Sequence, residues 1–410
     1  MTIAIVGGGI CGLTLALSLH ARGIACRIYE AAPELKELGV GITLLPHGMR
    51  EFAALGLGDA LLSIGIENAE SCFFNRFGQL IYKEPRGKAA GYQYPEVGIH
   101  RGSLHLALYR AVQERLGADC MVTNRLCTGV EQDDTGARVL LKETTTGQTL
   151  PPVAARAVIA CDGVNSSLRK QLVGDSVVFT GINTWRGVTR HKPILTGRSY
   201  LRIGSILTGK IVIYPIADDI DDEGNQLINW TTEFKRDTTD MNDWNKPGDL
   251  ADFISVYESW RFDWLDVADL IRKSDFIFEY PMVDKDPLPR WTFGRVTLAG
   301  DAAHPMYPRG SNGSAQAVID ARTLADCLAE HGDPRDALQA YEAARREATG
   351  KVVRTNRGHP PDFINIKVEE LTGDKPFANL DDFITQDELR SLSENYKRIA
   401  GFAVSDVKRT

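Results

Sequence analysis

The sequence predicts an α/β protein with a Rossmann-like N-terminal domain, a mainly-β domain inserted into it, and a helical C-terminal tail. Three observations support this prediction. Residues 3–30 run from a short apolar segment through a glycine-rich turn and a helix-compatible segment to a second apolar segment, which is the order of a βαβ unit. Five of the six tryptophans lie between Trp185 and Trp264, in a stretch of strand-like runs and polar loops. Pro360 and Pro361 end any helix that precedes them, and a short helical tail is predicted after them.

Local patterns place the individual elements. Short apolar runs predict strands, which glycine turns and polar stretches separate. The predicted strands span residues 3–6, 26–29, 138–141, 157–160, 211–216, 276–280 and 295–298. The predicted helices span 11–20, 102–116, 314–330 and 336–349, and polar loops are predicted at 218–222 and 237–247. We assign residues 1–70, 98–175 and 285–345 to the first domain, 71–97 and 176–284 to the inserted domain, and 346–410 to the tail.

Composition and charge exclude several classes of protein. Hydrophobic residues make up 43% and charged residues 25% of the 410 residues, which is typical of a globular protein of two or three domains. The 47 basic and 54 acidic residues give a net charge of −7, and no Lys/Arg-rich run offers a nucleic-acid surface. Seven cysteines without a C-x-x-C pair, and histidines without an H-x-x-x-H pair, predict free thiols in a cytoplasmic protein and no metal site. No apolar segment is long enough to predict a membrane span.

The first motif that carries chemistry is Gly7-x-Gly9-x-x-Gly12, at the turn after the first strand. Gly7 permits the tight turn, Gly9 lets the backbone approach a pyrophosphate, and Gly12 lets helix and strand pack closely. Free N–H groups and the dipole of the following helix then favour phosphate. Glu30 ends the next strand, where its carboxylate can accept hydrogen bonds from a ribose 2′-hydroxyl. The motif predicts a dinucleotide site, and the alternative is a glycine turn without a ligand.

A second motif, Cys161-Asp162-Gly163-x-x-Ser166-x-x-Arg169, follows a buried strand. On local grounds it is either a functional segment or a turn with a capped helix.

A third motif, Gly300-Asp301-Ala302-Ala303-His304, follows another short strand and leads through Gly310-Ser311-Asn312-Gly313 into a long helix. An aspartate on a loop after a strand can hold ligand hydroxyl groups, and the helix N-terminus beyond it can stabilise negative charge. The alternative is a strand–loop–helix crossover without a ligand.

Together and in this order, the three motifs resemble those of the class A flavoprotein monooxygenases, the para-hydroxybenzoate-hydroxylase-like family. The resemblance covers about residues 1–345 and implies FAD as the bound cofactor. The residues implied for cofactor binding are Gly7, Gly9, Gly12 and Glu30 for the ADP part, Arg101 for the phosphates, Asp162 and Gly163 for FAD and NAD(P)H, Asp301 for the ribityl chain, and Gly41, Gly310 and Gly313 beside the flavin. Ser311 and Ala315 depart from the family, which usually has glycine and asparagine there, so the loop is expected to sit differently against the flavin.

The resemblance also implies the reaction. Only one G-x-G-x-x-G occurs in the chain, so NADH or NADPH is expected to bind transiently, without a Rossmann domain of its own. Reduced flavin and O2 would give a C4a-hydroperoxide that transfers one oxygen atom to an aromatic ring. A narrower resemblance to the phenazine-hydroxylating members rests on Trp185-Arg186-Gly187, on residues 286–291 and 300–314, and on the tail. It implies a small aromatic or N-heteroaromatic substrate, with or without a carboxyl group. The sequence leaves a monomer and a homodimer open.

Several side chains are candidates for contact with the ring. Tyr214 and Trp185 are each either ring-stacking or packing residues, and Arg186 can pair with a carboxylate. His304 and His47 either contact the flavin, relay protons or pack in the core. Arg309 can likewise pair with a carboxylate, and either arginine can instead be a solvated surface residue, which we expect for Arg309.

Three other functions compete with this one. A related flavoprotein acting on a quinone-type ring and a flavin-binding protein without turnover would share all three motifs. An NAD-dependent dehydrogenase would explain the first motif but leave the second and third without a purpose.

Overall fold

The computed structural model of the chain describes residues 2–37, 39–235 and 246–404. The described residues form strands in five sheets. The strands are β1 (Ile3–Val6), β2 (Cys26–Tyr29), β3 (Gly41–Leu44), β4 (Gly65–Glu67), β5 (Glu70–Phe74), β6 (Leu80–Pro85), β7 (Val97–His100), β8 (Met121–Val122), β9 (Leu126–Gln132), β10 (Ala137–Lys142), β11 (Val153–Ala155), β12 (Ala157–Ala160), β13 (Val178–His191), β14 (Ser199–Ser205), β15 (Gly209–Ala217), β16 (Gln226–Lys235), β17 (Arg261–Phe262), β18 (Leu265–Asp266), β19 (Ile277–Asp284), β20 (Thr292–Phe293) and β21 (Val296–Leu298).

Ten α-helices lie in the same described residues. They are α1 (Ile10–His20), α2 (Pro46–Ala54), α3 (Gly58–Ser63), α4 (Arg101–Leu116), α5 (Ser167–Leu172), α6 (Val267–Arg272), α7 (Gly313–Glu330), α8 (Pro334–Gly358), α9 (Phe363–Thr372) and α10 (Gln386–Ile399). No helix in this part of the chain is both long enough and apolar enough to cross a membrane.

The first sheet has six strands in the order β20-β21-β12-β1-β2-β8. All neighbours except β20 and β21 pair in parallel, and β1 lies at the centre between β12 and β2. Every residue of β1 and β12 is buried, as expected for strands covered on both faces. Helix α1 packs against both α4 and α7. The strands β1, β12 and β21 therefore bring the ends of the three sequence motifs to one edge of this sheet.

The second large sheet has seven strands in the order β19-β13-β16-β15-β14-β5-β6. One face carries an aromatic core that includes Trp185, Trp230, Phe253, Tyr257 and Trp260. Because side chains alternate along a strand, the neighbours of these core residues point to the opposite face, where the sheet lines a cavity. The tryptophan-rich stretch is thus the mainly-β part that the sequence predicts.

A small sheet of β3, β7 and β4 joins the two large sheets. Gly98 on β7 approaches β15 so closely that a Cβ there would lie 2.4 Å from the carbonyl oxygen of Pro215. The N–H of Gly41 on β3 donates to Oδ1 of Asn229 on β16 at 2.7 Å. These contacts fix the mainly-β sheet against the first domain.

The structure confirms the predicted fold class and most predicted elements. Helix α8 continues to residue 358 and ends just before Pro360, and α9 and α10 form the helical tail. The predicted loop at 218–222 lies between β15 and β16, whereas most of the predicted loop at 237–247 lies outside the described residues. The domain boundaries stay a prediction, although strands from 70–85 and 178–284 do share one sheet.

Candidate active site

The glycine-rich turn connects β1 to α1 at the edge of the first sheet. Gly7 has φ +100°, and a Cβ on it would lie 2.4 Å from the carbonyl oxygen of Cys161. A Cβ on Gly12 would lie 2.0 Å from the carbonyl oxygen of Gly7. A Cβ on Gly9 would meet no atom within 4 Å. The protein's own packing therefore requires Gly7 and Gly12, whereas the surface at Gly9 is accessible to a ligand.

Glu30 stands at the end of β2, facing this turn. Its carboxylate accepts hydrogen bonds from the N–H of Gly8 at 2.5 Å and of Ala32 at 2.8 Å. An open cleft beside it is also lined by Gly9 and His105, and Nε2 of His105 donates to the carbonyl oxygen of Gly8 at 2.6 Å. An acidic residue thus lies next to the glycine-rich turn, as the first motif predicts.

The second motif follows β12. Oδ2 of Asp162 accepts hydrogen bonds from the N–H and hydroxyl of Ser167 at 2.9 and 3.2 Å, and the Ser166 side chain caps α5. Oδ1 of Asp162 is buried without a hydrogen-bond partner among the described residues, and burial raises the pKa of this carboxyl. A Cβ on Gly163 would meet no atom within 4 Å. The segment presents an unsatisfied acceptor and an open backbone to a ligand.

The third motif follows β21, and its aspartate faces the start of α7. The Asp301 side chain is exposed, and a Cβ on Gly313 would lie 4.0 Å from its Oδ1. The free N–H groups in the first turn of α7 therefore lie next to the Asp301 carboxylate. Hydrogen-bond donors and an acceptor are side by side there.

Arg169 joins the second motif to the third. The side chain is fully buried, and Nη1 donates to the carbonyl oxygens of Ala302 and Ala303 at 3.0 and 2.8 Å. Its other nitrogens bind Asp175. The arginine at the end of the second motif therefore holds the loop that carries Asp301.

Two residues that the sequence analysis did not assign hold the same loop from the other side. Asp320 on α7 accepts from the backbone N–H of Gly300 at 3.1 Å, from Nε2 of His304 at 2.5 Å and from Nε of Arg345 at 2.7 Å. Burial alone would raise the pKa of Asp320, but His304 and Arg345 lower it to about 2. Asp320 has the helical spacing of a core position and Arg345 lies in a charged helix, so no local signal marks either residue.

His304, a candidate pocket residue, takes the core-packing alternative that the sequence left open. Its ring is buried, packs 5.3 Å from the ring of Trp291, and is held by Asp320 beneath the loop. His304 does not line the cavity of the mainly-β sheet and is a positioning residue for the Asp301 loop.

Trp185, a candidate for contact with a substrate ring, takes the packing alternative that the sequence left open. It is fully buried in the aromatic core, with ring centroids 4.8 Å from Phe234 and 4.9 Å from Phe253. Since Arg186 follows Trp185 on β13, its side chain points to the opposite face and lines the cavity.

The prediction of a surface position for Arg309 is wrong. Arg309 is buried and binds the carboxylate of Asp362 through Nε and Nη2 at 2.8–3.1 Å. The partner lies more than fifty residues further along the chain, so the sequence around Arg309 does not indicate it.

The cavity lies between the mainly-β sheet and the loop before α7. The rings of Tyr200 and Tyr214 stack there with centroids 5.0 Å apart, and the hydroxyl of Tyr200 lies 3.3 Å from that of Ser311. The residues lining it are Arg186, Tyr200, Arg202, Lys210, Val212, Tyr214, Thr231, Glu233, Pro308, Arg309 and Ser311. The structure therefore brings Tyr214 and Arg186 together beside the third motif.

Ser311 and Ala315 are the two residues of this connection that depart from the family pattern. Ser311 adopts φ +52°, the left-handed region in which the family's glycine is favoured. Ala315 is buried, and a Cβ on Gly48 would lie only 3.2 Å from its Cβ, so close packing of α2 on α7 leaves little room for asparagine. A Cβ on Gly310 would lie 1.6 Å from the hydroxyl of Tyr396, so this glycine is explained by the C-terminal tail.

The remaining predicted residues, Gly41, Arg101 and His47, have different surroundings. A Cβ on Gly41 would lie 2.7 Å from Cβ of Asn229, which explains that glycine by sheet packing. Arg101 begins α4 and its side chain is exposed. His47 is buried, stacks on Phe402 with centroids 5.0 Å apart, and shares a 3.0 Å hydrogen bond with Asn312.

These residues fit an FAD molecule. The open backbone at Gly9 and Gly163, the unsatisfied Oδ1 of Asp162 and the exposed Asp301 follow one another along the carboxyl ends of β1, β12 and β21. In an open α/β sheet, this edge is where a dinucleotide binds. Among the described residues, no group of three or more metal-ligating side chains is present.

The fold and this cleft are those of a flavoprotein, and the comparisons with known proteins define the class as FAD-dependent aromatic hydroxylases. The chain belongs to the FAD binding domain family, which matches residues 1–198 and 282–356. It is 42% identical to the phenazine 1,6-dicarboxylic acid hydroxylase of Lysobacter antibioticus, over 87% of this chain and 89% of that protein. It is 28% identical to the 3-hydroxybenzoate 6-hydroxylase of Polaromonas naphthalenivorans, over 87% and 86% of the two chains.

Solved structures agree on the fold. A salicylate hydroxylase superposes with a TM-score of 0.74 at 20% identity, over all of this chain and 97% of that one. Klebsiella pneumoniae HpxO, solved with FAD and uric acid, gives a TM-score of 0.76 at 22% identity, over 99% and 97%. The comparisons confirm the predicted class A flavoprotein monooxygenase family, the fold class and FAD as the cofactor.

Proposed function

We propose that the protein is an NAD(P)H-consuming monooxygenase that inserts one oxygen atom of O2 into a carboxylated, phenazine-like aromatic ring. Arg186 carries this proposal. Its side chain lines the cavity, its Nε is buried without a hydrogen-bond partner, and it makes no ion pair with any residue in 2–37, 39–235 or 246–404. A free guanidinium binds a carboxylate through two parallel hydrogen bonds. The name of the 42% identical relative, a phenazine dicarboxylic acid hydroxylase, supports the same kind of ring.

The cavity suits a flat ring for a second reason. The stacked pair of Tyr200 and Tyr214 presents aromatic surface, which favours offset or edge-on packing with another ring. Burial raises the pKa of Tyr214, so its hydroxyl stays protonated and can donate a hydrogen bond. The tyrosines and Arg186 would orient the substrate, while the buried surroundings of the cavity exclude water.

FAD, when bound, supplies the redox chemistry, taking electrons from NADH or NADPH and activating O2. The chain's own residues position the cofactor and the substrate. Arg169 and Asp320 hold the loop of Asp301 from two sides, and Ser311 of the same connection lines the ring cavity. The cofactor cleft and the ring cavity therefore share one loop, which would hold the substrate next to the flavin.

We also propose a cytoplasmic enzyme that acts as a monomer or homodimer, with the two domains and tail divided as the sequence predicts. All seven cysteines are free, which supports a reducing compartment.

Anaerobic stopped-flow reduction of the FAD-loaded protein tests the proposal. NADH and NADPH would be compared with and without phenazine-1-carboxylate, 5-methylphenazine-1-carboxylate, salicylate and a quinone, while flavin absorbance is followed. We expect a phenazine acid to accelerate reduction, and air to then yield oxygenated product in proportion to NAD(P)H consumed. Reduction that no ring acid accelerates would reject the substrate class, and a flavin that neither nucleotide reduces would favour a binding protein without turnover.

A further inference from the structure

We infer that the ring cavity carries a second anion-binding residue, Arg202, and that the preferred substrate is an aromatic dianion with acid groups at opposite ends of the ring system. This inference rests on the proposed function, because it assumes that an aromatic acid occupies the cavity. It adds the number and placement of the acid groups, which Arg186 alone does not define.

Four basic residues line the cavity, and they fall into two classes. Lys210 donates to Glu233 at 2.8 Å and to Asp362 at 3.0 Å, and Arg309 binds the same Asp362 at 2.8 Å. These four buried groups, two basic and two acidic, neutralise one another. They leave no net charge to attract a ligand.

Arg202 is different because it is buried without an acid. Its exposed fraction is 3%, and its only hydrogen bond among the described residues runs from Nη1 to the hydroxyl of Ser71 at 2.6 Å. The guanidinium carbon lies 4.4 Å from the ring centroid of Tyr200 and 4.9 Å from that of Phe73. Aromatic faces stabilise a cation only in part, and buried charges in proteins are otherwise paired.

The register of the sheet places Arg202 and Arg186 at the two ends of one row. Arg202 on β14 lies opposite Val212 on β15, Val212 lies opposite Thr231 on β16, and Thr231 lies opposite Arg186 on β13. All four side chains line the cavity. The two arginines are therefore three strand spacings apart, about 14 Å between Cα atoms.

A flat ring that lies over Val212 and Thr231 would have one guanidinium at each end. Since the two arginines carry the only unneutralised charges of the lining described here, the cavity has a net charge of about +2. A monoacid would leave one of them buried and unpaired, which costs free energy, whereas a diacid satisfies both. The geometry thus favours a diacid over a monoacid of the same ring.

Equilibrium binding to the FAD-loaded enzyme tests the inference, with phenazine-1,6-dicarboxylate and phenazine-1-carboxylate as probes and flavin fluorescence as the readout. We expect the wild-type protein to bind the diacid at least about tenfold more tightly. Arg202→Met keeps the aliphatic stem on Tyr200 and should abolish this preference while monoacid affinity changes less than about twofold. Arg202→Lys restores the charge and should recover part of the preference. Arg198→Met, an exposed arginine just before β14, is the matched control.

The outcomes separate the two proposals. Equal wild-type affinities, a preference for the monoacid, or an Arg202→Met variant that weakens both probes equally would overturn the role of Arg202. If neither acid binds or accelerates flavin reduction, the proposed function fails instead. Retained FAD absorbance reports that each variant is folded. If Arg202→Met does not retain FAD, the ratio of diacid to monoacid affinity in the wild type and in Arg202→Lys tests the role of Arg202.

Discussion

Arg309 and Asp362 form a buried ion pair that ties the C-terminal tail to the loop before α7. Nε and Nη2 of the guanidinium donate to the carboxylate at 2.8–3.1 Å, and Nζ of Lys210 lies 3.0 Å from the same carboxylate. Burial opposes the charge on Asp362, but Arg309 and Lys210 hold the pKa of this carboxyl well below its usual range. The tail is therefore a structural part of the ring cavity.

Replacing Asp362 with Asn should destabilise the protein by about 3 kcal/mol or more, because it leaves the buried Arg309 without its acid and Lys210 with Glu233 alone. Urea unfolding measured at pH 7 checks this. Asp387→Asn removes an exposed pair with Arg390 in the same tail and should leave the unfolding midpoint unchanged. Equal midpoints for the two variants would show that the buried pair contributes little.

Gly9 and Gly12 should respond differently to alanine. A Cβ on Gly12 meets the backbone of Gly7, so Gly12→Ala should destabilise the apoprotein by about 1–3 kcal/mol. A Cβ on Gly9 would meet no protein atom within 4 Å and would point into the space for the ligand. Gly9→Ala should therefore keep the apoprotein stable and weaken FAD binding about tenfold or more. Thermal unfolding of the apoproteins and FAD titration measure the two effects. An unchanged FAD affinity in Gly9→Ala would contradict a pyrophosphate site at this turn.

His47 should make stability depend on pH. Burial lowers the pKa of His47 to about 4, below its value near 6.5 in the unfolded chain. The unfolded state then binds more protons between these two values, so stability falls as pH drops from 7 to 5, by on the order of 2 kcal/mol from this residue. Urea unfolding of the apoprotein at both pH values should show a smaller loss in His47→Gln. A loss equal to that of the wild type would place the effect elsewhere.

Arg186→Ala should raise KM for an acidic ring more than for a neutral ring of the same shape, because only the acid loses a charge partner. Steady-state NADH oxidation with a phenazine acid and its amide measures the difference. Arg190→Ala, an exposed arginine on the same strand, serves as the control. A similar increase in KM for both rings would mean that Arg186 shapes the cavity and does not bind the substrate carboxylate.

Local patterns located the seven predicted strands and the three motifs, although the described residues contain 21 strands. Alternation and apolar runs indicate these seven strands, since each depends on residues within a few positions. The same local view misjudged Arg309 and left Trp185 and His304 undecided between packing and ligand contact, because burial depends on what packs against a residue. Trp185 is covered by Phe234 and Phe253, and Arg309 by Asp362.

Gly310 is a second example of a long-range contact that a local pattern does not show. The family resemblance implies that Gly310 lies beside the flavin, and the structure shows that its missing side chain makes room for the hydroxyl of Tyr396. That residue is 86 positions away and binds Asn356 at 2.9 Å. A glycine's position is visible in the sequence, but the atom that excludes a side chain there is not.

The sequence by itself determined the βαβ unit, the order of the three motifs, the family and the cofactor, because each rests on residue types at short, fixed spacings. Only the tertiary structure decided which charges are free. Pairing Lys210 and Arg309 with Glu233 and Asp362, and leaving Arg186 and Arg202 at opposite ends of one row, requires four strands and the tail to meet. A charged substrate binds to charged side chains that have no partner in the folded chain. Which side chains have a partner depends on distances that only the tertiary structure sets.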